Sequence, residues 1–315
     1  MIVLQSSALT AHILPRGATL AGLWLKGHPR SLVLGFADQL AFESAAFYAG
    51  ALVGPVANRV SGGQIRIGGK TFQMPRNEHP NCLHSGDGGL NELIWDVSDQ
   101  TLASVTLTLE LPDCANGLPG TRKISATYAL TELDTLSLTI TALSDCDTPM
   151  NVAHHPYWTL DCSQDISGHF LQVNATDFLP VNEQMIPTGQ IMPVARSKYD
   201  FRAACPVPVD QALDANLCIS SIPSDVPQDV AVLKGSDGIT LHIASTEPGL
   251  QVYNGSGLPT DGPTALPGQR IQPFAGIALE PQGWPDAPNH PHFPSVMLPR
   301  DGAYRQETHY RITKD

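Results

Sequence analysis

Apolar and polar residues alternate along much of the chain. The alternation is strict in the segments 105–111, 124–130 and 136–142. It places apolar side chains on one face of an extended segment and polar side chains on the other, as a half-buried β-strand requires. The same pattern returns at 239–243 and 310–312. We therefore predict strands at all five segments.

A hairpin and two short helices are the other predicted elements. Residues 65–74 read as two strands joined by Gly68-Gly69, a pair that readily adopts the left-handed backbone of a tight turn. Short helices are expected around 40–50 and 207–212. No other segment has a convincing amphipathic helical pattern.

The distribution of Gly and Pro bears on domain organisation. The chain has 27 residues of each, and stretches rich in them recur at short intervals instead of gathering in one linker. This favours a single domain of many antiparallel strands over residues 1–315. The predicted fold class is all-β, a large twisted antiparallel β-sandwich.

Charge excludes several classes of partner. The 315 residues include 18 Lys+Arg and 30 Asp+Glu, for a formal net charge of −12. The few cations are scattered, so neither a nucleic acid nor an anionic membrane surface is expected as a partner. No stretch reaches the ~20 apolar residues of a membrane helix. The start of the chain also lacks a cationic segment ahead of an apolar one, so it does not read as a secretory signal.

Cysteine spacing bears on the cellular compartment. The six cysteines are widely spread and form no C-x-x-C pair: Cys82, Cys114, Cys146, Cys162, Cys205 and Cys218. In a chain of this size without a signal, thiols are usually reduced, so we predict a cytoplasmic protein. An acidic surface without a hydrophobic stripe fits a monomer and a homodimer equally well.

Five segments place polar residues among Gly, Pro and Asn, where loops present side chains at the edge of a sheet. They are 54–60, 81–86, 151–160, 213–217 and 278–282. His155 in the third segment can donate a proton near neutral pH. Glu280 in the fifth can accept one, and a carboxylate that follows three apolar residues needs partners or a task. Opening and reclosing a sugar ring requires such a pair, brought to opposite sides of a pocket.

In this order, the segments resemble the aldose 1-epimerase (galactose mutarotase) family. The matching stretches are Gly54-x-x-x-Asn58-Arg59, Asn81-x-Leu83-His84, His155-x-Tyr157, Asp214-x-Asn216, Gly249-Leu250-Gln251-x-Tyr253 and Leu279-Glu280-x-Gln282-x-x-Pro285-Asp286-Ala287. The likeness extends from about Gly17 to Ile312. It implies a galactose mutarotase-like supersandwich whose concave face binds a monosaccharide, and an isomerase that needs no metal or other cofactor.

The resemblance also implies a role for each site residue. His155 would be the general acid that protonates the ring oxygen, and Glu280 the general base that takes the proton from the anomeric hydroxyl. The C1–O5 bond then breaks, the open-chain aldehyde rotates about C1–C2, and the ring closes on its other face. The residues expected to bind the sugar are Arg59, His84, Asp214, Asn58 and Tyr253.

The chain departs from the family pattern beside the expected acid. His154 and His155 are adjacent, and in a strand they would point to opposite faces, so only one of them enters the pocket. Alignment on Tyr157 and Leu160 favours His155. His154 is then a structural residue on the far face or a contact of the pocket wall. Ser85 also replaces a family glycine, and such changes leave the sugar undetermined.

Other functions compete with this hypothesis. A catalytically silent sugar-binding or sensor protein would need neither the acid nor the base. A sugar-phosphate epimerase should have additional Arg or Lys at the pocket, and acidic sugars also remain open as substrates. A glycan hydrolase should have a pair of carboxylates at the reaction centre.

Several candidate residues also have structural interpretations. Arg59 could pair with a surface carboxylate, His84 could stabilise a loop, and Asp214 could be a turn residue. Tyr253 and Trp284 could stack on a sugar or belong to the core. The sequence His290-Pro291-His292 lacks a nearby third ligand, so no metal is predicted there.

Overall fold

The computed structural model describes residues 1–44, 47–131 and 134–315. Strands dominate it. The first thirteen are β1 (Ile2–Gln5), β2 (Leu9–Leu14), β3 (Thr19–Leu25), β4 (Leu52–Val53), β5 (Arg59–Val60), β6 (Gln64–Ile67), β7 (Lys70–Gln73), β8 (Cys82–Leu83), β9 (Asp96–Gln100), β10 (Ser104–Leu111), β11 (Arg122–Thr131), β12 (Thr135–Ser144) and β13 (Thr148–Pro149). The others are β14 (Ala153–His154), β15 (Tyr157–Trp158), β16 (Phe170–Val173), β17 (Asp177–Phe178), β18 (Met192–Pro193), β19 (Cys205–Pro206), β20 (Asp214–Cys218), β21 (Gln228–Lys234), β22 (Ile239–Ser245), β23 (Gly249–Tyr253), β24 (Ile277–Gln282), β25 (Met297–Leu298) and β26 (Ala303–Lys314).

Helical structure in the described residues is short. Helix α1 spans Ala41–Ser44, inside the helix predicted around 40–50; residues 45 and 46 of that prediction lie outside the described part of the chain. Single 3₁₀ turns lie at Ser61–Gly63, Leu90–Glu92, Ala115–Gly117 and Ala287–Asn289. Within the described ranges, no helix has the length and apolar character needed to cross a membrane.

The helix predicted at 207–212 is wrong. That segment is irregular and precedes β20. The side-chain amide of Asn254 donates to the carbonyl oxygens of Pro208 at 2.8 Å and of Gln211 at 2.9 Å. These bonds satisfy carbonyls that a helix would have used, and Pro208 has no N–H to contribute to one.

Nine strands form the larger sheet, in the order β19-β16-β21-β22-β26-β12-β11-β10-β9. All neighbours in it are antiparallel. The five segments predicted from alternation lie in β10, β11, β12, β22 and β26, so these predictions are confirmed. The last strand, β26, lies between β12 and β22 and joins the two halves of the sheet.

The hairpin at 65–74 is also confirmed. Strands β6 and β7 pair antiparallel, with Ile67 opposite Lys70. Gly68 and Gly69 connect them with φ angles of 55° and 80°. A two-residue turn with both φ angles positive matches the twist of the strands that it joins, and glycine adopts it at little cost.

A second sheet packs against the first. It has six antiparallel strands in the order β15-β24-β23-β20-β17-β18, and β1, β2 and β3 form a separate three-stranded sheet. Buried side chains of the nine-stranded sheet, such as Ile140 and Tyr310, share one core with Leu250 and Leu279 of the six-stranded sheet. The predicted all-β antiparallel sandwich is confirmed. All six cysteines lie in the described residues and are free.

Candidate active site

The six-stranded sheet buries polar side chains on the face turned away from the core. Glu280 of β24 lies opposite Gln251 of β23, which in turn lies opposite Asn216 of β20. Asp214 lies opposite Tyr253. Because side chains alternate along a strand, these residues share one face. Four of them, all except Asn216, line a single pocket.

The pocket has a volume of about 240 Å³. This is slightly below the ~300–1,000 Å³ of typical ligand pockets, so it suits a small ligand. All seven residues singled out from the sequence line it. Its walls are formed by Phe47, Tyr48, Asn58, Arg59, Leu83, His84, His155, Tyr157, Asp214, Gln251, Tyr253, Gly257 and Glu280.

His155 and Glu280 lie side by side at the base of the pocket. His155 Nε2 is 3.5 Å from Glu280 Oε1, and the two side chains are only 6% and 2% exposed. The expectation that they occupy opposite sides of the pocket is wrong. Both oxygens that exchange protons in ring opening are bonded to the same carbon, C1, so an acid and a base that serve them must approach the same small region.

The backbone of His155 is fixed by a neighbouring segment. Its N–H donates to the carbonyl of Ala51 at 3.0 Å, and its carbonyl accepts from the N–H of Gly50 at 2.9 Å. His154 points the other way, into the core, where its Nδ1 lies 3.1 Å from the hydroxyl of Tyr310. The structure thus separates the two histidines as alternation predicts, and His154 has the structural position on the far face.

Burial shifts the pKa values of both groups toward their neutral forms. Loss of solvation lowers the pKa of His155 to about 4. Burial raises the pKa of Glu280 well above its usual value, and the nearby carboxylate of Asp214 raises it further. Pairs of titratable groups with such opposed shifts are typical of acid–base sites.

Asn58 and His84 fix each other through the backbone. The N–H of Asn58 donates to His84 Nδ1 at 3.1 Å, and the N–H of His84 donates to the carbonyl of Asn58 at 3.0 Å. Burial lowers the pKa of His84 well below its usual value, so the ring is neutral. Because Nδ1 accepts, the ring proton is on Nε2, where it is available as a donor.

Ser85, which replaces a family glycine, contributes to the same loop. Its hydroxyl accepts from the N–H of Val56 at 2.8 Å and lies 3.1 Å from the Val56 carbonyl oxygen. The side chain is fully buried. Ser85 therefore links the segments that hold Asn58 and His84, and it does not line the pocket.

Arg59 lies between two carboxylates. Its Nε and Nη2 donate to Glu78 at 2.6 and 2.9 Å, and its Nη1 lies 3.7 Å from Asp214 Oδ2. The other oxygen of Asp214 accepts from the amide of Gln251. Arg59 therefore has a carboxylate partner, as its structural interpretation held, and also lines the pocket. Asp214 is the first residue of a strand, so its interpretation as a turn residue is wrong.

Of the two aromatic candidates, Tyr253 lines the pocket and Trp284 lies in the core. Tyr253 lines the pocket, and its hydroxyl accepts from the N–H of Gly257 at 2.7 Å. Trp284 is buried against Phe293 and donates its indole N–H to the carbonyl of Pro248 at 3.0 Å. Trp284 is thus a core residue and does not face a ligand in the pocket.

Sequence reasoning missed several lining residues. Gln251 and Tyr157 belong to the quoted motifs, and only their partners in space show that they face the pocket. Phe47 and Tyr48 lie outside the motifs; the ring centroid of Tyr48 is 4.6 Å from that of His84. No motif in the sequence marks these two residues.

Comparison with known proteins identifies the architecture around this pocket. A family model described as aldose 1-epimerase matches residues 1–311. The chain belongs to the aldose 1-epimerase family. Galactose mutarotase of Rattus norvegicus is 33% identical over 325 aligned residues, which cover 98% of this chain and 93% of the relative. Aldose 1-epimerase of Escherichia coli (strain K12) is 29% identical, with 93% and 89% covered.

Solved structures of family members have the same fold. The GalM/aldose epimerase homologue from C. elegans superimposes with a TM-score of 0.91 at 30% identity, covering 99% of this chain and 98% of that one. Galactose 1-epimerase from Lactobacillus acidophilus NCFM gives 0.86 at 25% identity, with 99% and 93% covered. The chain is accordingly an isomerase that interconverts the α and β anomers of a free monosaccharide by opening and reclosing its ring.

Proposed function

We propose that Glu280 and His155 carry the two proton transfers of the anomer exchange. The Glu280 carboxylate takes the proton of the anomeric hydroxyl as the C1–O5 bond breaks and the C1–O1 bond becomes a carbonyl. The protonated ring of His155 gives its proton to O5. After rotation about C1–C2 the two transfers run backward, and the ring closes on the other face. The 3.5 Å between His155 Nε2 and Glu280 Oε1 carries this proposal.

The surroundings of the pair favour transfer in the required direction. Since burial lowers the pKa of His155 to about 4, its protonated ring is a stronger acid than histidine in water. Since burial raises the pKa of Glu280, its carboxylate is a stronger base. Burial favours the neutral pair in the free enzyme, and the ionised pair forms when the proton of Glu280 passes to His155 Nε2, 3.5 Å away. The pair becomes neutral again as the ring opens, so a buried site assists that step.

The polar wall supports a role in holding the sugar. The neutral ring of His84 offers its Nε2–H as a donor, and Asp214 offers carboxylate oxygens. The side-chain oxygen of Asn58 accepts from the backbone N–H of Arg59 at 2.8 Å, and this bond fixes the Asn58 side chain at the pocket wall. Tyr253 supplies an aromatic surface for the C–H face of a sugar. Such a constellation fixes one orientation of C1 and O5 against the acid and the base.

The charges of the pocket favour an uncharged sugar. Among the lining residues that the structure describes, Arg59 is the one lysine or arginine, and Glu78 already binds it through two hydrogen bonds. Asp214 and Glu280 add two carboxylates. A phosphate or carboxylate on the substrate would meet these charges without a free cation. We therefore propose a neutral aldose, with galactose first, since the relatives named above include galactose mutarotase and galactose 1-epimerase.

Anomer exchange measured by one-dimensional exchange NMR tests the proposal. The panel contains neutral aldoses, acidic sugars and sugar phosphates. We expect acceleration for a neutral aldose and a loss of about 10²–10⁴-fold in Glu280→Gln and in His155→Asn. The matched controls are Glu183→Gln and His292→Asn, the same changes at exposed positions outside the pocket.

Each other outcome would reject part of the proposal. Full activity in either pocket variant would remove that residue from the proton transfers. Acceleration of a sugar phosphate alone would reject the neutral substrate. Binding of a sugar by wild type without any acceleration would indicate a silent sugar-binding protein.

We also propose that residues 1–315 act as one cytoplasmic domain, as a monomer or a homodimer. The six free cysteines fit a reducing compartment. Light scattering after size exclusion, with and without a reducing agent, would give the mass. A mass that depends on the reductant would contradict the reduced state.

A further inference from the structure

A second cluster of polar side chains lies outside the active-site pocket, where His28, Cys162 and Asp237 meet. Each offers one donor atom, and the three atoms all lie within 4.8 Å of one another. None of the three residues lines the pocket. We propose that this cluster binds a transition-metal dication of the Zn²⁺ class.

The donors are held by three different sheets. His28 follows β3 of the three-stranded sheet, and Cys162 follows β15 of the six-stranded sheet. Asp237 lies in the turn between β21 and β22 of the nine-stranded sheet. A metal ion at this position therefore links all three sheets through short loops, and the folded chain binds it more tightly than the unfolded chain does.

The chemistry of the donors selects the ion. A thiolate, an imidazole nitrogen and a carboxylate oxygen suit Zn²⁺, Co²⁺ or Ni²⁺, whereas Mg²⁺ and Ca²⁺ bind through oxygen alone. Three protein ligands leave the fourth position of a tetrahedral ion for water. Nε2 of His28 is buried and has no hydrogen-bond partner among the described residues. Cys162 and Asp237 are exposed, so an ion can enter from solvent.

A buried carboxylate holds two of the ligand loops. Asp161 accepts from the N–H of Ser163 at 2.9 Å and from the N–H and hydroxyl of Ser236 at 3.1 and 2.7 Å. Ser163 adjoins Cys162, and Ser236 adjoins Asp237. The N–H of Cys162 also donates to Asp237 Oδ2 at 3.2 Å. Such outer contacts fix the geometry of ligands before the ion arrives.

The charges around the cluster are nearly balanced until the metal binds. Asp161 and Asp237 lie near the His28 ring, as do the cations Arg30 and Lys314. Metal binding releases the thiol proton of Cys162 to solvent, and the resulting thiolate adds a negative charge. The cluster then presents a net negative field to the dication.

Titration of the untagged, chelator-treated chain with Co²⁺ tests the proposal. One equivalent should produce a thiolate-to-cobalt charge-transfer band in the near ultraviolet and the visible bands of four-coordinate Co²⁺, and Zn²⁺ should displace both. With Zn²⁺ at about 100 times its Kd, the Tm should rise by about 4 °C. Cys162→Ser should abolish the charge-transfer band, and His28→Gln and Asp237→Asn should each weaken binding at least about tenfold.

The matched controls are Cys114→Ser and Cys146→Ser, which change exposed cysteines outside the cluster. They should leave the spectrum unchanged, and all five variants should keep the wild-type rate of anomer exchange. Absence of the charge-transfer band in wild type overturns the proposal. So does a band that survives Cys162→Ser or that disappears in Cys146→Ser.

Discussion

The two large sheets use their faces differently. In the nine-stranded sheet, strand β12 turns Leu138 and Ile140 into the core, and the intervening Thr139 is half-buried on the outer face. In the six-stranded sheet, strand β24 is buried on both faces, with Leu279 toward the core and Glu280 toward the pocket. The nine-stranded sheet buries apolar side chains on one face and leaves the other face to solvent. The six-stranded sheet also buries polar side chains on its second face.

The six-stranded sheet has buried polar atoms on its pocket side that lack hydrogen-bond partners within the described part of the chain. On the pocket side of the six-stranded sheet, Glu280 Oε2, Gln251 Oε1 and both side-chain polar atoms of Asn216 and Gln282 are buried without a hydrogen-bond partner among the described residues. Such atoms reduce stability unless water or a ligand satisfies them. These atoms lie near the acid–base pair. We infer that this sheet is less stable than full hydrogen bonding would make it, and that the hydroxyl groups of a ligand can supply missing hydrogen bonds.

The largest effect on stability should come from the core of the nine-stranded sheet. Ile140→Ala should reduce the free energy of unfolding by about 2–5 kcal/mol, because it leaves a cavity in a fully buried position. Urea unfolding measures this, and the rate of the remaining folded enzyme should not change. Leu143→Ala, at an exposed position of the same strand, is the control. Equal losses in both variants would contradict the comparison.

The junction of the two sheets should respond to pH. Glu247 lies in the turn between β22 and β23, and burial raises its pKa to about 8. The native state therefore keeps a proton that the unfolded chain loses near pH 4.5, so this group makes stability fall as pH rises from about 4.5 to about 8. Glu247→Gln should be more stable than wild type by about 4 kcal/mol at pH 8 and equal to it below pH 4.5.

Urea unfolding at several pH values checks this prediction, with the exposed Glu183→Gln as control. Parallel stability curves for wild type and Glu247→Gln would show that the carboxyl is ionised in the native state at pH 7.

A pair of buried glutamines compares the sheets directly. Gln306 of β26 donates to the Pro281 carbonyl at 2.9 Å and accepts from the Tyr304 hydroxyl at 3.0 Å. Gln282 of β24 has no such partner in the described structure. Gln306→Met should lower the free energy of unfolding by about 1–3 kcal/mol, and Gln282→Met by less than about 1 kcal/mol. Urea unfolding of both variants measures these two changes in the free energy of unfolding.

Catalysis should rank the same two variants in the opposite order. Gln282 lies two residues from Glu280 on the same strand face, so its amide dipole acts on the carboxylate. Gln282→Met should therefore slow anomer exchange by about 10-fold relative to wild type, and Gln306→Met should slow it less. If Gln282→Met lowers the free energy of unfolding by more than about 1 kcal/mol and leaves the rate of anomer exchange unchanged, the role of Gln282 is structural.

The smallest effect is expected at the edge of the pocket. Glu78 is 40% exposed and binds Arg59, so Glu78→Gln should change stability by no more than about 1 kcal/mol. It should free the guanidinium and lower the KM for an acidic sugar relative to that for galactose. Anomer-exchange rates over a range of sugar concentrations measure this. An unchanged ratio would show that Glu78 does not set the preference for neutral sugars.

Sequence reasoning recovered five strands of the nine-stranded sheet, because in these five apolar and polar residues alternate. Half-buried strands alternate, so β10, β11 and β12 extend at most two residues beyond their predicted ends at 105–111, 124–130 and 136–142. Alternation does not reveal partners. The position of β26 between β12 and β22 pairs segments far apart in the chain, and only tertiary structure shows it.

The sequence predicted the pocket residue Glu280 because a carboxylate within an apolar segment is unusual. Glu280 follows three apolar residues. The resemblance to a family supplied six further lining residues: His155, Arg59, Asn58, His84, Asp214 and Tyr253. The adjacency of His155 and Glu280 was not predictable, because it depends on how β24 packs beside the loop between β14 and β15. The three residues of the metal cluster lie in three distant segments, so their spacing gave no signal either.

The place of β26 in the larger sheet has a consequence for protein synthesis. Strands β9–β12 on one side of β26, and β16, β19, β21 and β22 on the other, leave the ribosome before β26 does. Until β26 pairs with them, β12 and β22 each have an open hydrogen-bonding edge. Open edges recruit other chains. The nascent polypeptide is therefore open to pairing with other chains until β26 emerges, and a chaperone that covers these edges would act in that interval.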